Sequence, residues 1–119
     1  MTDRELLELA AKAAGIDGWW SGADYCYGYN GNKNVPVPWR PLTDDGDALR
    51  LAVTCKLAVH VWHDEDSVSV AKTLPFGFAP PDNDTAWSFH SAHAFNDDLN
   101  AAVRYAITRA AAEIGKAMP

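Results

Sequence analysis

The strongest constraint on this chain is a long amphipathic stretch toward its C-terminal end. Leu99, Ala102, Val103, Ala106, Ile107, Ala110 and Ile114 recur at helical spacing and make an apolar stripe about five turns long. Asn96 reads as the N-cap, with Asp97 and Asp98 over the positive end of the helix dipole. Arg104 and Arg109 fall outside the stripe, and Gly115 marks the end. A one-sided helix of this length has to bury its stripe against a second layer.

Two further helices are predicted. Thr2-Asp3-Arg4-Glu5 matches a capping box, after which Leu6, Leu9, Ala10 and Ala13 fall on one face and Gly15 stops the helix in a left-handed conformation. The other helix begins at Thr43 or Asp44, where a capping side chain and the carboxylates of Asp44, Asp45 and Asp47 sit over the dipole. Ala48, Leu49, Leu51, Ala52, Val53, Cys55 and Leu57 surround most of its circumference, which predicts a largely buried helix.

Between these helices the period changes from helical to alternating. Tyr25, Tyr27 and Tyr29 alternate with Cys26 and Gly28, and Asn30-Gly31 supplies a turn. Val35-Pro36-Val37-Pro38 is extended but is barred from the centre of a sheet, because proline donates nothing to the ladder. This region reads as an aromatic hairpin or a long ordered loop at a sheet edge. Ala58–His63 and Ser67–Thr73 make a second hairpin through Asp64-Glu65-Asp66. Leu74–Asp84, with three prolines and a glycine, reads as a loop, and a third short strand spans Thr85–His90. The sum is an α+β fold: a small antiparallel sheet of three to four strands packed with about three α-helices, in helix–sheet–helix layers.

A length of 119 residues suits a single domain over 1–119, and 48% hydrophobic residues argue against disorder. The formal charge of −6 disfavours nucleic-acid binding, since phosphate backbones repel an acidic surface. An acidic face also suits a basic partner, although this charge is ordinary for a small soluble domain. No run reaches the ~18 apolar residues of a membrane helix, and MTDRELLELA is no signal peptide, so no membrane partner is expected. Cys26 and Cys55 are too few for a disulfide framework and are expected as free thiols of a cytoplasmic protein.

Three segments carry a resemblance. Trp39–Val53 (WRPLTDDGDALRLAV), Arg104–Gly115 (RYAITRAAAEIG) and Arg4–Gly15 (RELLELAAKAAG) together resemble the phage ABA-sandwich family, small phage and prophage proteins named for helix–sheet–helix layering. The matched segments cover roughly a third of the chain and read as scaffold. The resemblance implies a bacteriophage or prophage gene acting in the bacterial host cytoplasm, and it supplies no catalytic residues. Against that pattern, the aromatic-rich segment at about 17–41 looks like an insertion, longer than the link expected before Trp39-Arg40-Pro41-Leu42.

Chemistry-bearing patterns are few. His60/His63 and His90/His93 have a spacing seen among transition-metal ligands, but a three-residue offset on a strand sends two side chains to opposite faces. No metal site or cofactor is expected, with the four histidines as the weak candidates. The three aspartates at 44–47 lack the pattern of a calcium loop and read as capping groups. There is no phosphate-binding glycine motif and no nucleophile elbow around the serines.

That leaves the aromatic segment. Trp19, Trp20, Tyr25, Tyr27 and Tyr29 are the candidate partner surface, because tyrosine and tryptophan anchor interaction hot spots. The same side chains are equally suited to covering one end of the core. The expected function is a non-enzymatic phage accessory module that binds a host or phage protein, in one version a protein of an anti-phage defence system. The alternatives are a small metal-dependent or nucleotide-processing enzyme using the histidines, or a self-assembling structural phage protein that forms a homo-oligomer.

Overall fold

In the computed structural model, described for residues 1–72 and 88–119, the chain opens on helix α1 (Asp3–Ala14). The Thr2 hydroxyl accepts the Glu5 N–H at 3.2 Å and donates to the Glu5 carboxylate. Gly15 closes the helix at φ 73°, a conformation that glycine adopts without a Cβ clash.

The aromatic segment then forms a sheet of its own. Strands β1 (Gly18–Ser21), β2 (Asp24–Tyr29) and β3 (Asn32–Pro38) pair antiparallel in that order. Asn30 and Gly31, at φ 49° and 82°, make the β2–β3 turn, the two positive values that a tight hairpin with right-handed twist requires. The register then slips, because Gly28 faces Pro36 while Tyr29 faces Asn32, leaving residues 33–35 as a bulge on β3. The bulge folds directly over Gly28, where a Cβ would stand 2.7 Å from the Asn32 backbone. At the other end of the pair the Trp39 N–H donates to the Tyr25 carbonyl at 2.8 Å. Antiparallel pairs alternate in bonding, so Cys26–Pro38 and Gly28–Pro36 are the non-bonded pairs and both proline nitrogens face away from β2.

Helix α2 (Asp45–Thr54) is capped by Asp44, whose side chain accepts the Asp47 N–H at 2.8 Å. The helix is shorter and more exposed than its apolar circumference predicts. It stops at Thr54, Lys56 turns the chain at φ 57°, and Leu57 already belongs to the next strand. Neighbours cover one side only: Ala48, Leu51 and Ala52 are buried, whereas Leu49 and Val53 are 64% and 70% exposed.

A second antiparallel sheet follows, made of β4 (Leu57–Trp62), β5 (Ser67–Lys72) and β6 (Ser88–Ser91) in that order. Val59, Val61, Val68 and Val70 share its inner face through the pairs Val59–Val70 and Val61–Val68. The expected loop at 74–84 and residues 85–87 of the expected third strand lie outside the described residues. A short 3-10 turn (Ala92–Phe95) leads toward α3 (Leu99–Ala117). Asn96 is not the N-cap: Asn96 and Asp97 both take positive φ, 57° and 62°, as short polar side chains tolerate, and reverse the chain first. Asp98 caps instead, accepting the Ala101 N–H at 3.1 Å.

Helix α3 is the central element, packed against α1, α2 and the second sheet. Ala102, Ala106, Ala110 and Ala111 have no exposed surface, and Ala10 and Ala11 of α1 match them. Gly115 lies inside this helix and not at its end, against the Leu9 backbone of α1. The fold is α+β with a sandwich of helices and antiparallel strands, as expected. Among the described residues its strands number six in two sheets and not three to four in one, because the aromatic segment pairs with itself.

Candidate functional site

The first sheet divides the aromatic residues by face and by depth. Trp20 pairs with Tyr25, and Trp19 with Cys26, so Trp20, Tyr25 and Tyr27 share one face and Trp19 lies on the other. Tyr25 is buried, with its ring centroid 5.2 Å from Trp20 and 5.9 Å from Trp39. Burial, with a smaller contribution from Glu8, pushes its phenol above the usual tyrosine range. Trp20 is held from three sides: its Nε1 donates to Glu8 at 2.9 Å, the Arg4 guanidinium lies 4.1 Å over its ring, and Tyr25 meets it edge-on. Trp20 and Tyr25 therefore pack the end of the core. Tyr27 is half-buried and Tyr29 is 59% exposed, so the strand carries its aromatic face outward toward the hairpin tip.

Tyr27 forms part of a cleft of about 380 Å³ between the β2–β3 hairpin, the end of α1 and helix α2. Ile16, Trp39 and Leu51 supply its apolar lining, and Gly28 and Gly31 bring bare backbone to the hairpin wall. Its charged groups come in closed pairs. Lys33 meets Asp17 at 3.1 Å, and Arg50 meets Asp47 at 2.5 Å with Asp44 at 3.9 Å. Asp47 is nearly buried and also accepts the Arg40 N–H at 2.9 Å, while Asp45 binds Arg104 of α3 at 2.6 Å. All three aspartates expected to cap α2 thus have structural partners.

Exposed apolar side chains also lie on the hairpin and on α2, the two elements that flank the cleft, outside its lining. Tyr29 and Val35, the latter 46% exposed, stand on the hairpin. Val53 precedes the lining residue Thr54 by one position, about 100° round the helix, whereas Leu49 lies about 160° from the lining residues Asp47 and Leu51, on the far side of α2. Sequence reasoning pointed to the tyrosines and missed the helix. The available signal was the apolar circumference of α2, which implies either burial in the fold or a surface left for another molecule.

The histidines are dispersed. His60 pairs with Ser69 on the outer face of the second sheet, where its ring lies 4.1 Å from Trp62. His90 pairs with Val68 on the inner face, edge-on to Tyr105 at 4.9 Å. His63 is exposed in the β4–β5 turn, and exposed His93 meets Asp97 at 3.5 Å. Among the described residues no three His, Cys, Asp or Glu side chains gather as a metal site would need. Cys26 is buried and Cys55 half-buried, both free, and burial raises the Cys55 thiol above its ordinary range.

His90 gives the fold a pH dependence. Burial, with Arg109 nearby, lowers its pKa below the ordinary 6.5. The unfolded chain then takes up a proton that the folded one refuses, so this contribution to stability is intact above pH 6.5 and is lost as pH falls below it. Melting temperatures at pH 7.5 and pH 5.5 should differ more for the native chain than for His90→Phe; equal differences would remove His90 as the cause.

Among the described residues no helix is long and apolar enough to cross a membrane. No family model, no curated protein and no solved structure matches this chain.

Proposed function

We propose that this chain is a non-enzymatic protein-binding module that meets its partner through the exposed apolar side chains of the hairpin and α2, the elements that flank the cleft. The observation that carries this reading is the exposure of Tyr29 and Val35 on the hairpin and of Leu49 and Val53 on α2, four large apolar side chains on the two elements that flank one cleft. Scattered exposed apolar residues need no explanation, but a group rimmed by charge marks interaction surfaces. Aromatic residues near a pocket are the usual anchors of such surfaces. The resemblance to small phage proteins makes a host or phage protein the proposed partner class.

The test is capture from bacterial lysate by the tagged chain, beside a Tyr29→Ser/Leu49→Ser/Val53→Ser variant. All three side chains are exposed, so the variant should keep its fold, as circular dichroism will show. One protein enriched by the native chain and lost by the variant is expected. Equal capture by the folded variant would move the interface elsewhere. Light scattering on both proteins separates a partner from a second copy of the chain, because self-association through this surface would also disappear in the variant.

A further inference from the structure

We infer that the cleft is a socket for one uncharged planar ring, brought in as an aromatic side chain of the protein partner; this deepens the binding reading above and rests on it. The volume of about 380 Å³ falls in the range of small-ligand pockets. Its charges argue for neutrality. Lys33 is matched by Asp17 and Arg50 by Asp47, so an anion entering the cleft meets two carboxylates and a cation meets two basic groups. Neither sign is complementary, whereas an uncharged group leaves both pairs intact.

The lining argues for a ring over a branched aliphatic group. The half-buried ring of Tyr27 offers an edge-to-face contact, with the edge of the mostly buried Trp39 behind it. Gly28 is covered by the bulge, but at Gly31 a Cβ would meet nothing within 4 Å, so the hairpin wall is bare of side chain there. Arg50 donates to Asp47 through Nη2, with Asp44 further off at 3.9 Å, and its side chain stays largely exposed, which leaves the guanidinium face for stacking.

The experiment is a titration of the ¹⁵N-labelled chain, followed by NMR, with N-acetyl-tryptophanamide, N-acetyl-leucinamide and free indole. Saturable shifts at Gly28, Gly31, Lys33 and the Trp39 indole N–H are expected with the tryptophan amide. Binding should be about tenfold tighter than for the leucine amide, the effect of one good aromatic contact. Thr54→Trp, which fills the cleft from the exposed end of α2, should abolish the shifts. Lys33→Trp does the same from the hairpin if the first variant does not fold. No saturable shift, or equal binding of the leucine amide, overturns the socket. Indole binding far tighter than the capped amino acid also overturns it, since the occupant would then be a free small molecule. A partner that Thr54→Trp retains and the Tyr29/Leu49/Val53 variant loses overturns the socket alone and leaves the surface reading in place.

Discussion

Gly115→Ala should destabilise the fold by about 3 kcal/mol, in the upper part of the range for overpacked sites. A Cβ at this position would stand 1.9 Å from the Leu9 carbonyl oxygen and 2.8 Å from its carbon. Both are backbone atoms, so no side chain can swing aside, and α1 and α3 must separate. Separation opens the contact of Ala10 and Ala11 with the alanine face of α3, where all the neighbours are fully buried. Alanine is the better helix former by about 1 kcal/mol, which offsets only part of the loss. At this chain length the melting temperature should fall by about 10 °C. Gly46→Ala in α2 is the matched control, because the new Cβ would meet only the flexible ends of Arg50 and Asp44 at 3.3 Å. That variant should be neutral or slightly stabilised. A melting temperature for Gly115→Ala close to native would mean that the two helices do not approach at this point.

Asp47→Ala should cost about 2 kcal/mol, through the partly buried Arg40 N–H that it leaves without an acceptor. The same carboxylate binds Arg50, so the variant also frees the guanidinium at the edge of the cleft. Asp47→Asn separates the two effects. The amide oxygen can still accept from Arg40, and the loss should be smaller because the Arg50 pair is exposed on one side and weakened by solvent. Chemical denaturation of the three proteins is the measurement. Equal losses for Ala and Asn would place the stabilisation in the charge and not in the hydrogen bond to Arg40.

Local rules made several elements legible. Thr2 and Glu5 close their capping box, Asp44 caps α2, and the tyrosine alternation is a real strand face. Each of these is decided within a few residues of chain. What was not legible depends on distant neighbours. Leu49 and Ala48 are both apolar positions of one helix, yet only Ala48 faces something that covers it. Gly115 resembled a stop signal because glycine after an apolar stripe commonly is one, but here the missing side chain admits another helix. The start of α3 shifted from Asn96 to Asp98 because Asn96 and Asp97 turn the chain before the helix begins. Of the candidate surface, Tyr27 and Tyr29 lie at the cleft and the hairpin, while Trp20 and Tyr25 belong to the packing at the end of the core.

The two prolines of β3 decide how this molecule can be recognised. Pro36 and Pro38 occupy the positions whose backbone would otherwise offer N–H groups outward, so another chain laying a strand along this side finds carbonyls without donors. Stacking of copies edge to edge is blocked here by covalent structure and survives changes of pH and salt. A contact made along this side can use side chains and the outward carbonyls, but no backbone donor at these two positions.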